Sequence, residues 1–400
     1  MYQMEPRQEK KFLITGDLDN ALNGFCFDEK LCFKKMFEKV GEKQFLELRQ
    51  SVYDIYANLT KGLDELLEDT KVQFISDEIL SKFLDDQILD YVNKGGVIVA
   101  IDRNYATVVD QHESCMRLDI NRMEKEEGIR SLGSRTDESV DLQLVRIISR
   151  IKEHGGSVAL CDDVLFNGGT FLYLQEMFQK EEVEIEGVFT GISNQVGFAR
   201  LEEQGIKVSS LLVGDYSDSL CTRDTIFGCP QSGRPIRCGP SEVIEWRVPY
   251  FAPFGSASKY LAIPEEKEIQ FSELCLENSL QFWQEFERAS GKSEIRLSEL
   301  PISVYGVNPH QNVLQVIEGA LGVIQDSVQV SMLTIPLSTM TIEGIASLSQ
   351  PSNIIQETSD VKMGLGDGIF KWIKRSIPDS LFTGSVVARG ALNALKRLPK

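Results

Sequence analysis

Apolar and polar positions follow two different rhythms between residues 96 and 214. Short runs of consecutive apolar residues, such as GVIVAI at 96–101, are typical of strands buried on both faces of a sheet. Between these runs, apolar residues recur every three or four positions, as in a helix with one buried face. The pattern predicts strands at 96–101, 114–120, 157–162, 184–192 and 206–214, and helices at 138–156, 170–181 and 197–205. This alternation predicts an α/β fold with a largely parallel sheet and flanking helices.

The sequence on either side of this region follows different patterns. Before it, apolar residues stand at helical spacing among many Glu and Lys residues, with one strand candidate at 71–76 and a helix that Asp77 caps. After it, residues 215–265 are rich in Gly, Pro, Cys and Ser and predict irregular structure. We therefore expect a mostly helical N-terminal region (1–95), an α/β core with an irregular covering segment (96–265), a C-terminal α/β extension (266–350), and a linker with a basic amphipathic tail (351–400).

Composition narrows the functions that this fold can serve. The formal net charge is −18, so we expect no broad nucleic-acid-binding face. The eight cysteines form no CxxC pair, which favours free thiols in a reducing cytoplasm over a zinc site. No apolar run approaches the length of a membrane span, and the N-terminus lacks a signal-peptide pattern. These features predict a cytoplasmic protein without a transmembrane segment.

The stretch SVALCDDVLFNGGTFLYL, residues 157–174, carries the most chemistry. Two adjacent carboxylates, Asp162 and Asp163, stand at the end of a predicted buried strand, where open parallel sheets bind their ligands. Residues 167–170 then form a glycine turn at a helix start, whose unpaired N–H groups and positive dipole suit a phosphate. The carboxylates suit hydroxyls, a cation, or both. A ligand that carries hydroxyls close to a phosphate is a sugar phosphate, so the motif suits such a ligand.

The segment VALCDDVLFNGGT resembles the phosphoribosyl-diphosphate (PRPP) binding motif of type I phosphoribosyltransferases. The resemblance implies a phosphoribosyltransferase-like sheet, with Asp162 and Asp163 holding the ribose 2′- and 3′-hydroxyls. It also implies that Mg²⁺ bridges the pyrophosphate and the ribose, with the same two carboxylates as its protein ligands. The residues that would hold the 5′-phosphate are Asn167, Gly168, Gly169 and Thr170.

The arrangement around the motif adds candidates for binding the pyrophosphate. In the family that the chain resembles, the first core strand ends in a short pyrophosphate loop, which corresponds here to residues 102–105 with Arg103. A flexible loop follows the second strand and corresponds to residues 121–137. Cationic residues on a mobile loop suit a leaving pyrophosphate, whose charge grows in the transition state. The cations of this loop are Arg122, Lys125, Arg130 and Arg135.

Two positions in the motif depart from the family pattern. Asn167 stands where the family usually has Thr, so an amide replaces one hydroxyl contact to phosphate. Phe166 stands where purine-salvage members carry an aspartate as a base for the purine ring, so the chain does not resemble those members. The connection at 102–113 is also short for a crossover helix, which makes 71–76 an alternative first core strand with the pyrophosphate loop at 76–78.

Other interpretations stay open at the level of sequence. The Asp pair can simply terminate a strand and cap a helix, or belong to a PRPP or nucleotide sensor without catalysis. The stretch FLITGDLDNAL faintly resembles the nucleophile motif of haloacid-dehalogenase phosphatases through Asp17 and Asp19, with Ala21 in place of the motif's Thr. Two segments follow the core strands, at 221–236 and 250–264. Either segment can cover the site and contact the acceptor. The alternatives are a surface loop for the first and packing into a core for the second.

The sequence thus predicts a phosphoribosyltransferase that binds PRPP, or a related ribose phosphate, together with Mg²⁺. It would transfer the ribosyl phosphate to a base-like acceptor and release pyrophosphate, with Asp162 and Asp163 as the catalytic residues. The acceptor, the general base and the oligomeric state, a homodimer included, are left open by the sequence.

Overall fold

The structure is a computed structural model of the 400-residue chain. It describes residues 10–18, 42–68, 70–124, 130–136, 138–238, 244–300, 302–304 and 306–332. The predicted linker and basic tail at 351–400 lie outside the described residues, as do Asp19 and Lys125. No helix in the described part of the chain combines the length and the apolar character needed to cross a bilayer.

Twelve strands and eight α-helices form within these residues. The strands are β1 (Lys10–Gly16), β2 (Thr70–Ser76), β3 (Ile98–Ala100), β4 (Cys115–Arg117), β5 (Ile120–Glu124), β6 (Arg130–Ser134), β7 (Ser157–Leu165), β8 (Glu184–Asn194), β9 (Lys207–Gly214), β10 (Tyr216–Cys221), β11 (Arg234–Cys238) and β12 (Ile244–Val248). The helices are α1 (Glu42–Leu66), α2 (Asp77–Asn93), α3 (Val140–Glu153), α4 (Gly169–Gln179), α5 (Gln195–Glu202), α6 (Ala257–Tyr260), α7 (Glu268–Ser290) and α8 (Val313–Met332).

Five parallel strands form the central sheet, in the order β4-β3-β7-β8-β9. Helices cover both of its faces because its strands are apolar on both faces. Successive side chains of a strand point to opposite faces, and those around β3 follow this rule. Val97 and Val99 join the core under α3 and α4, whereas Ile98 and Ala100 join the core under α2. The predicted α/β fold with a largely parallel sheet and flanking helices is confirmed.

A second, smaller sheet contains three parallel strands in the order β10-β1-β2. Its core also contains α1, α7 and α8, and extends in sequence from Phe12 to Ile324. Helix α1 packs against α7, and α7 packs against α8. The described N-terminal and C-terminal parts of the chain therefore share one apolar core. The expected division of the chain at residues 95, 265 and 350 stays a prediction.

Two segments that the sequence predicts as irregular instead contribute strands. Residues 121–137, expected to be a loop, supply most of the antiparallel pair β5 and β6. Residues 215–265 supply β10, β11 and β12, and β11 pairs with both β12 and β5. The resulting four-stranded sheet has the order β12-β11-β5-β6. Backbone pairing between distant segments stabilises these strands, and a local pattern of side chains does not reveal such pairing.

The alternative assignment of 71–76 as the first core strand is wrong. This segment is β2, which pairs with β1 in the small sheet, whereas β3 lies next to β7 in the central sheet. The predicted cap at Asp77 is also displaced by one residue. Ser76 is in an extended conformation, and its hydroxyl accepts a hydrogen bond from the N–H of Ile79 at 3.5 Å, so Ser76 caps α2.

Candidate functional site

The topology of the central sheet places a ligand crevice at the carboxyl ends of β3 and β7. The strand order reverses between them, because β4 lies on one side of β3 while β7, β8 and β9 follow on the other. Open parallel sheets bind ligands at such a switch point. Asp162 and Asp163 lie near the carboxyl end of β7, and Ile101 and Asp102 directly follow β3. The acid pair is therefore at the expected position of a ligand site.

The two carboxylates are half-buried and partly fixed by the local backbone. One oxygen of Asp162 accepts the N–H of Asp163 at 3.1 Å, and one oxygen of Asp163 accepts the N–H of Val164 at 2.8 Å. These bonds hold the carboxylates in defined orientations, as a binding site for hydroxyls requires.

The loop after β7 is a glycine turn that leads directly into α4. Gly168 adopts a left-handed conformation with φ of 76° and precedes the first turn of α4, where it offers no capping side chain. The side-chain oxygen of Asn167 accepts the N–H of Gly169 at 3.0 Å, and Arg200 donates to the carbonyl oxygen of Asn167 at 3.1 Å. Asn167 is thus fixed through both its side chain and its backbone carbonyl, while the start of α4 carries the positive end of the helix dipole.

Arg135 brings a guanidinium close to the Asp pair. It directly follows β6, and its Nη1 donates to the carbonyl oxygen of Ile101 at 3.3 Å. Burial lowers the pKa of Arg135, and the charges of Asp162 and Asp163 oppose that shift. Since arginine remains protonated in proteins, a positive charge lies beside the two carboxylates.

Asp102 fixes the loop that follows β3. Its carboxylate accepts three backbone N–H groups, from Asn104 at 3.0 Å, Tyr105 at 2.8 Å and Ala106 at 2.7 Å. Burial and the nearby charge of Asp163 raise the pKa of Asp102. Asp102 therefore shapes the predicted pyrophosphate loop from within, through its bonds to the backbone.

A cavity of about 630 Å³ joins these elements. This volume suits a small-molecule substrate. The core and the β5–β6 hairpin contribute one part of its wall, namely Ile101, Ile120, Leu132, Arg135, Asp162, Asp163, Phe166, Asn167 and Thr170.

Several predicted site residues meet in this cavity and others do not. Arg135, Asp162, Asp163, Asn167 and Thr170 all line it, and Gly168 and Gly169 form the turn between the last two. By contrast, the Nε of Arg103 donates to Asp119 at 2.5 Å, and Arg103 is not among the described side chains that line the cavity. Arg122 belongs to β5 and Arg130 to β6. The binding roles of Arg103, Arg122 and Lys125 stay predictions.

The remaining wall comes from residues 217–262, which the sequence predicts as an irregular cover. Arg223, Asp224, Gly233 and Arg234 line the cavity, as do Tyr250, Lys259 and Tyr260. The guanidinium carbon of Arg234 lies 4.2 Å from the centre of the Tyr260 ring, and the Lys259 ammonium lies 4.9 Å from it. Asp218 and Arg247, which also line the cavity, carried no local signal in the sequence because their strands were not predicted.

A buried ion pair anchors this wall to the small sheet. Asp17, at the end of β1, pairs with the Arg223 guanidinium, and its other oxygen accepts from the Thr222 hydroxyl at 3.0 Å and the Arg223 N–H at 2.9 Å. Asp17 is only 1% exposed. A phosphatase nucleophile must reach its substrate, and a carboxylate engaged in this way gives no support to the phosphatase interpretation.

The oxygen donors at the end of β7 fit a magnesium ion that is shared with substrate. Within the described residues, no group of three or more His, Cys, Asp and Glu side chains converges into an all-protein metal site. Mg²⁺ commonly binds through one or two carboxylates together with substrate phosphates and waters. Asp162 and Asp163 supply two such carboxylates beside the phosphate-type loop.

Comparisons with known proteins give a partial similarity to phosphoribosyltransferases. No protein-family model matches the chain. A hypoxanthine/guanine phosphoribosyltransferase from Methanosarcina acetivorans is 34% identical over 74 residues, which are 18% of this chain and 39% of that protein. The chain therefore spans well under half the length of that relative. An adenine phosphoribosyltransferase from Thermoanaerobacter pseudethanolicus superposes with 14% identity and a TM-score of 0.21, covering 34% of this chain and 80% of that one. So low a score leaves the fold assignment to rest on the strand order.

Proposed function

We propose that this protein is a phosphoribosyltransferase-like enzyme, which binds PRPP with Mg²⁺ and transfers its ribosyl phosphate to a base-like acceptor. One observation carries the proposal. The acid pair Asp162–Asp163 and the glycine turn at the start of α4 open into the same cavity at the switch point of a parallel sheet. The 74-residue similarity to a hypoxanthine/guanine phosphoribosyltransferase supports the same class of reaction.

Each part of the cavity has a role in this proposal. Asp162 and Asp163 accept hydrogen bonds from the ribose hydroxyls and provide carboxylate ligands for Mg²⁺, which neutralises pyrophosphate charge when bound. The backbone of 167–170 and the Thr170 hydroxyl hold the 5′-phosphate at the positive end of α4. Arg135 adds positive charge beside them.

The protein would act mainly by positioning its substrates and by electrostatic stabilisation. The bond between the anomeric carbon and pyrophosphate breaks while the bond to the acceptor forms, so the ribose becomes cation-like and the pyrophosphate gains charge. Fixed carboxylates with a fixed guanidinium beside them are already in place for these charges, which reduces the reorganisation that the reaction requires.

The direct test is PRPP binding by the Asp163→Asn variant, measured by calorimetry in the presence of Mg²⁺. The substitution keeps the shape of the side chain and removes its charge. Charge-assisted hydrogen bonds contribute about 1.5–3 kcal/mol each, so we expect PRPP affinity to fall by roughly 10- to 100-fold. The control is Asp86→Asn, an exposed carboxylate on α2 that pairs with Lys82, and this variant should bind PRPP like the wild type.

Two results decide the proposal. Unchanged PRPP affinity in D163N would contradict the proposal that the acid pair binds the ribose hydroxyls. Pyrophosphate release by the wild type, assayed with PRPP, Mg²⁺ and a panel of purine, pyrimidine and pyridine bases, tests turnover. PRPP binding without release in any of these reactions would identify a sensor in place of an enzyme.

A further inference from the structure

The cavity contains a candidate for the general base, which the binding motif does not supply. In the proposed reaction, a ring nitrogen of the acceptor attacks the ribose and loses its proton. Asp162 and Asp163 are assigned to the ribose and Mg²⁺, and Phe166 cannot accept a proton. A base must therefore come from another part of the wall. Among the described residues that line the cavity, the other carboxylates are Asp218 and Asp224.

Both carboxylate oxygens of Asp218 accept hydrogen bonds from the backbone. One of its oxygens accepts the N–H of Ser219 at 2.8 Å, and the other accepts the N–H of Ala262 at 2.7 Å. The bond from Ala262 ties β10 to the segment that follows α6. Because both oxygens already accept backbone protons, Asp218 serves to hold this part of the wall together.

Within the described residues, Asp224 is fixed by a hydrogen bond at one of its two oxygens. It lies on the short 3-10 helix Thr222–Thr225, and its Oδ1 accepts the N–H of Gly233 at 2.8 Å. Gly233 has φ of 70°, and a Cβ there would come within 2.6 Å of the carbonyl oxygen of Val248. The turn that orients Asp224 thus requires glycine. A carboxylate held through one oxygen keeps the other available to a ligand in the cavity.

The surroundings of Asp224 suit a base that works near neutral pH. Burial raises its pKa to about 6, while the adjacent Arg223 guanidinium opposes the shift. A base is most effective when its pKa is close to the working pH, because it is then ionised and still has a strong affinity for a proton. The charged and titratable groups around it are Arg223, Asp17, Arg247, Tyr250, Cys221 and Cys229.

We propose that Asp224 is the general base of the transfer and that the acceptor is a nitrogen heterocycle with a ring N–H. This inference rests on the proposed function. The nitrogen forms the bond to the anomeric carbon of ribose, and the carbon–oxygen bond to pyrophosphate breaks with its electron pair leaving on pyrophosphate. The proton of the ring nitrogen passes to the Asp224 carboxylate and from there to solvent.

The test compares the Asp224→Asn variant with the wild type in full-length protein, using PRPP, Mg²⁺ and the panel of bases named above. General-base catalysis contributes about 10²- to 10⁴-fold, so kcat/KM for pyrophosphate release should fall by that factor. The fall in rate below about pH 6, which reports protonation of the base, should disappear. PRPP affinity should stay within about threefold of the wild type, because Asp224 does not contact PRPP in this assignment.

Asp218→Asn is the matched control, since burial also raises the pKa of Asp218 to about 6. This variant should keep the acidic limb of the pH profile, whatever its absolute rate. If D224N loses its cooperative unfolding transition, Asp224→Glu replaces it. The longer side chain misplaces the carboxylate, so kcat/KM should drop at least about tenfold with PRPP affinity unchanged.

Each remaining outcome overturns the inference in a distinguishable way. A D224N enzyme that loses less than about tenfold in kcat/KM, or that keeps the acidic limb, removes Asp224 from the chemistry and leaves the transferase intact. A large loss of PRPP affinity in D224N makes the residue part of PRPP binding and excludes the base assignment. A wild type that binds PRPP and releases no pyrophosphate with any base overturns the proposed transfer together with the role of Asp224.

Discussion

At the scale of single residues, the acids in the cavity wall lie close to arginines. Asp162 and Asp163 lie within charge range of Arg135, and Asp224 lies next to Arg223. Arg223 in turn pairs with Asp17, whose side chain is fully buried. Buried charges lose their hydration, and a good partner offsets that loss only while both members are present. The wall of the cavity therefore depends on a pair whose two members are distant in sequence from the Asp162–Asp163 motif.

This dependence predicts that Arg223→Met destabilises the fold. The substitution leaves the Asp17 carboxylate buried without its cation, and breaking such a pair costs about 3–5 kcal/mol of the free energy of unfolding. Urea denaturation measures the loss. The double variant D17N/R223M removes both charges and should be more stable than the sum of the two single losses predicts. Additive losses in that cycle would mean that Asp17 and Arg223 stabilise the fold independently.

At the scale of elements, helix α5 supports the phosphate-type loop from the side. A Cβ at Gly197 would lie 2.5 Å from the carbonyl oxygen of Phe166, so only glycine allows α5 to approach the loop this closely. Arg200 on the same helix donates to the carbonyl oxygen of Asn167 at 3.1 Å. The conformation of 166–170 is thus set by the helix after the next strand as well as by its own glycines.

The glycine at this contact gives a matched pair of substitutions. We expect Gly197→Ala to lower the free energy of unfolding by about 1–3 kcal/mol through overpacking, and to weaken PRPP binding by displacing the loop. Gly319→Ala in α8 places a Cβ with nothing within 4 Å. It should be neutral or stabilise by up to about 1 kcal/mol, because alanine favours helix. Equal stability of both variants in urea denaturation would contradict the tight contact between α5 and the loop.

At the scale of the whole molecule, α7 connects the two ends of the described chain to the cavity wall. It packs between α1 and α8 in the core shared with the small sheet. Its Trp283 donates to the carbonyl oxygen of Phe227 at 2.6 Å, and its Ser279 hydroxyl accepts the N–H of Phe227 at 2.9 Å. Ser272 likewise accepts the N–H of Ala252 at 2.9 Å. The segments that carry the wall are therefore fastened to a helix outside the central sheet.

Removal of the largest buried side chain on α7 should accordingly affect the whole fold. Trp283 is fully buried, and Trp283→Ala should lower the free energy of unfolding by about 3–5 kcal/mol. The comparison is Leu46→Ala on α1, where the side chain is 55% exposed and the change should be within about 0.5 kcal/mol. Denaturation followed by far-UV circular dichroism measures both. A W283A variant as stable as L46A would show that α7 does not hold the core together.

The central sheet and the binding turn were predictable because their signals are local. The apolar runs of β3, β7 and β8 are largely buried, and such runs are visible in a single sequence. The neighbouring hairpin was not predictable, since β5 and β6 are stabilised by each other and by β11. The same reason explains why the sequence could not show that Arg135, one of its four loop cations, lines the cavity.

Consecutive residues were sufficient to specify the α/β class, the acid pair at a strand end and the glycine turn, because each depends on neighbours in the chain. The tertiary structure alone decided which distant groups share the cavity. Arg135 follows β6, whereas Asp218, Asp224 and Arg247 belong to residues 217–262, and their meeting depends on strand pairing and on the core around α7. Such pairing is set by burial and backbone hydrogen bonds between remote segments, which leave no periodic pattern in the sequence. The sequence alone therefore indicates the chemistry of the acid pair, whereas the fold determines the shape and charge of the cavity around it.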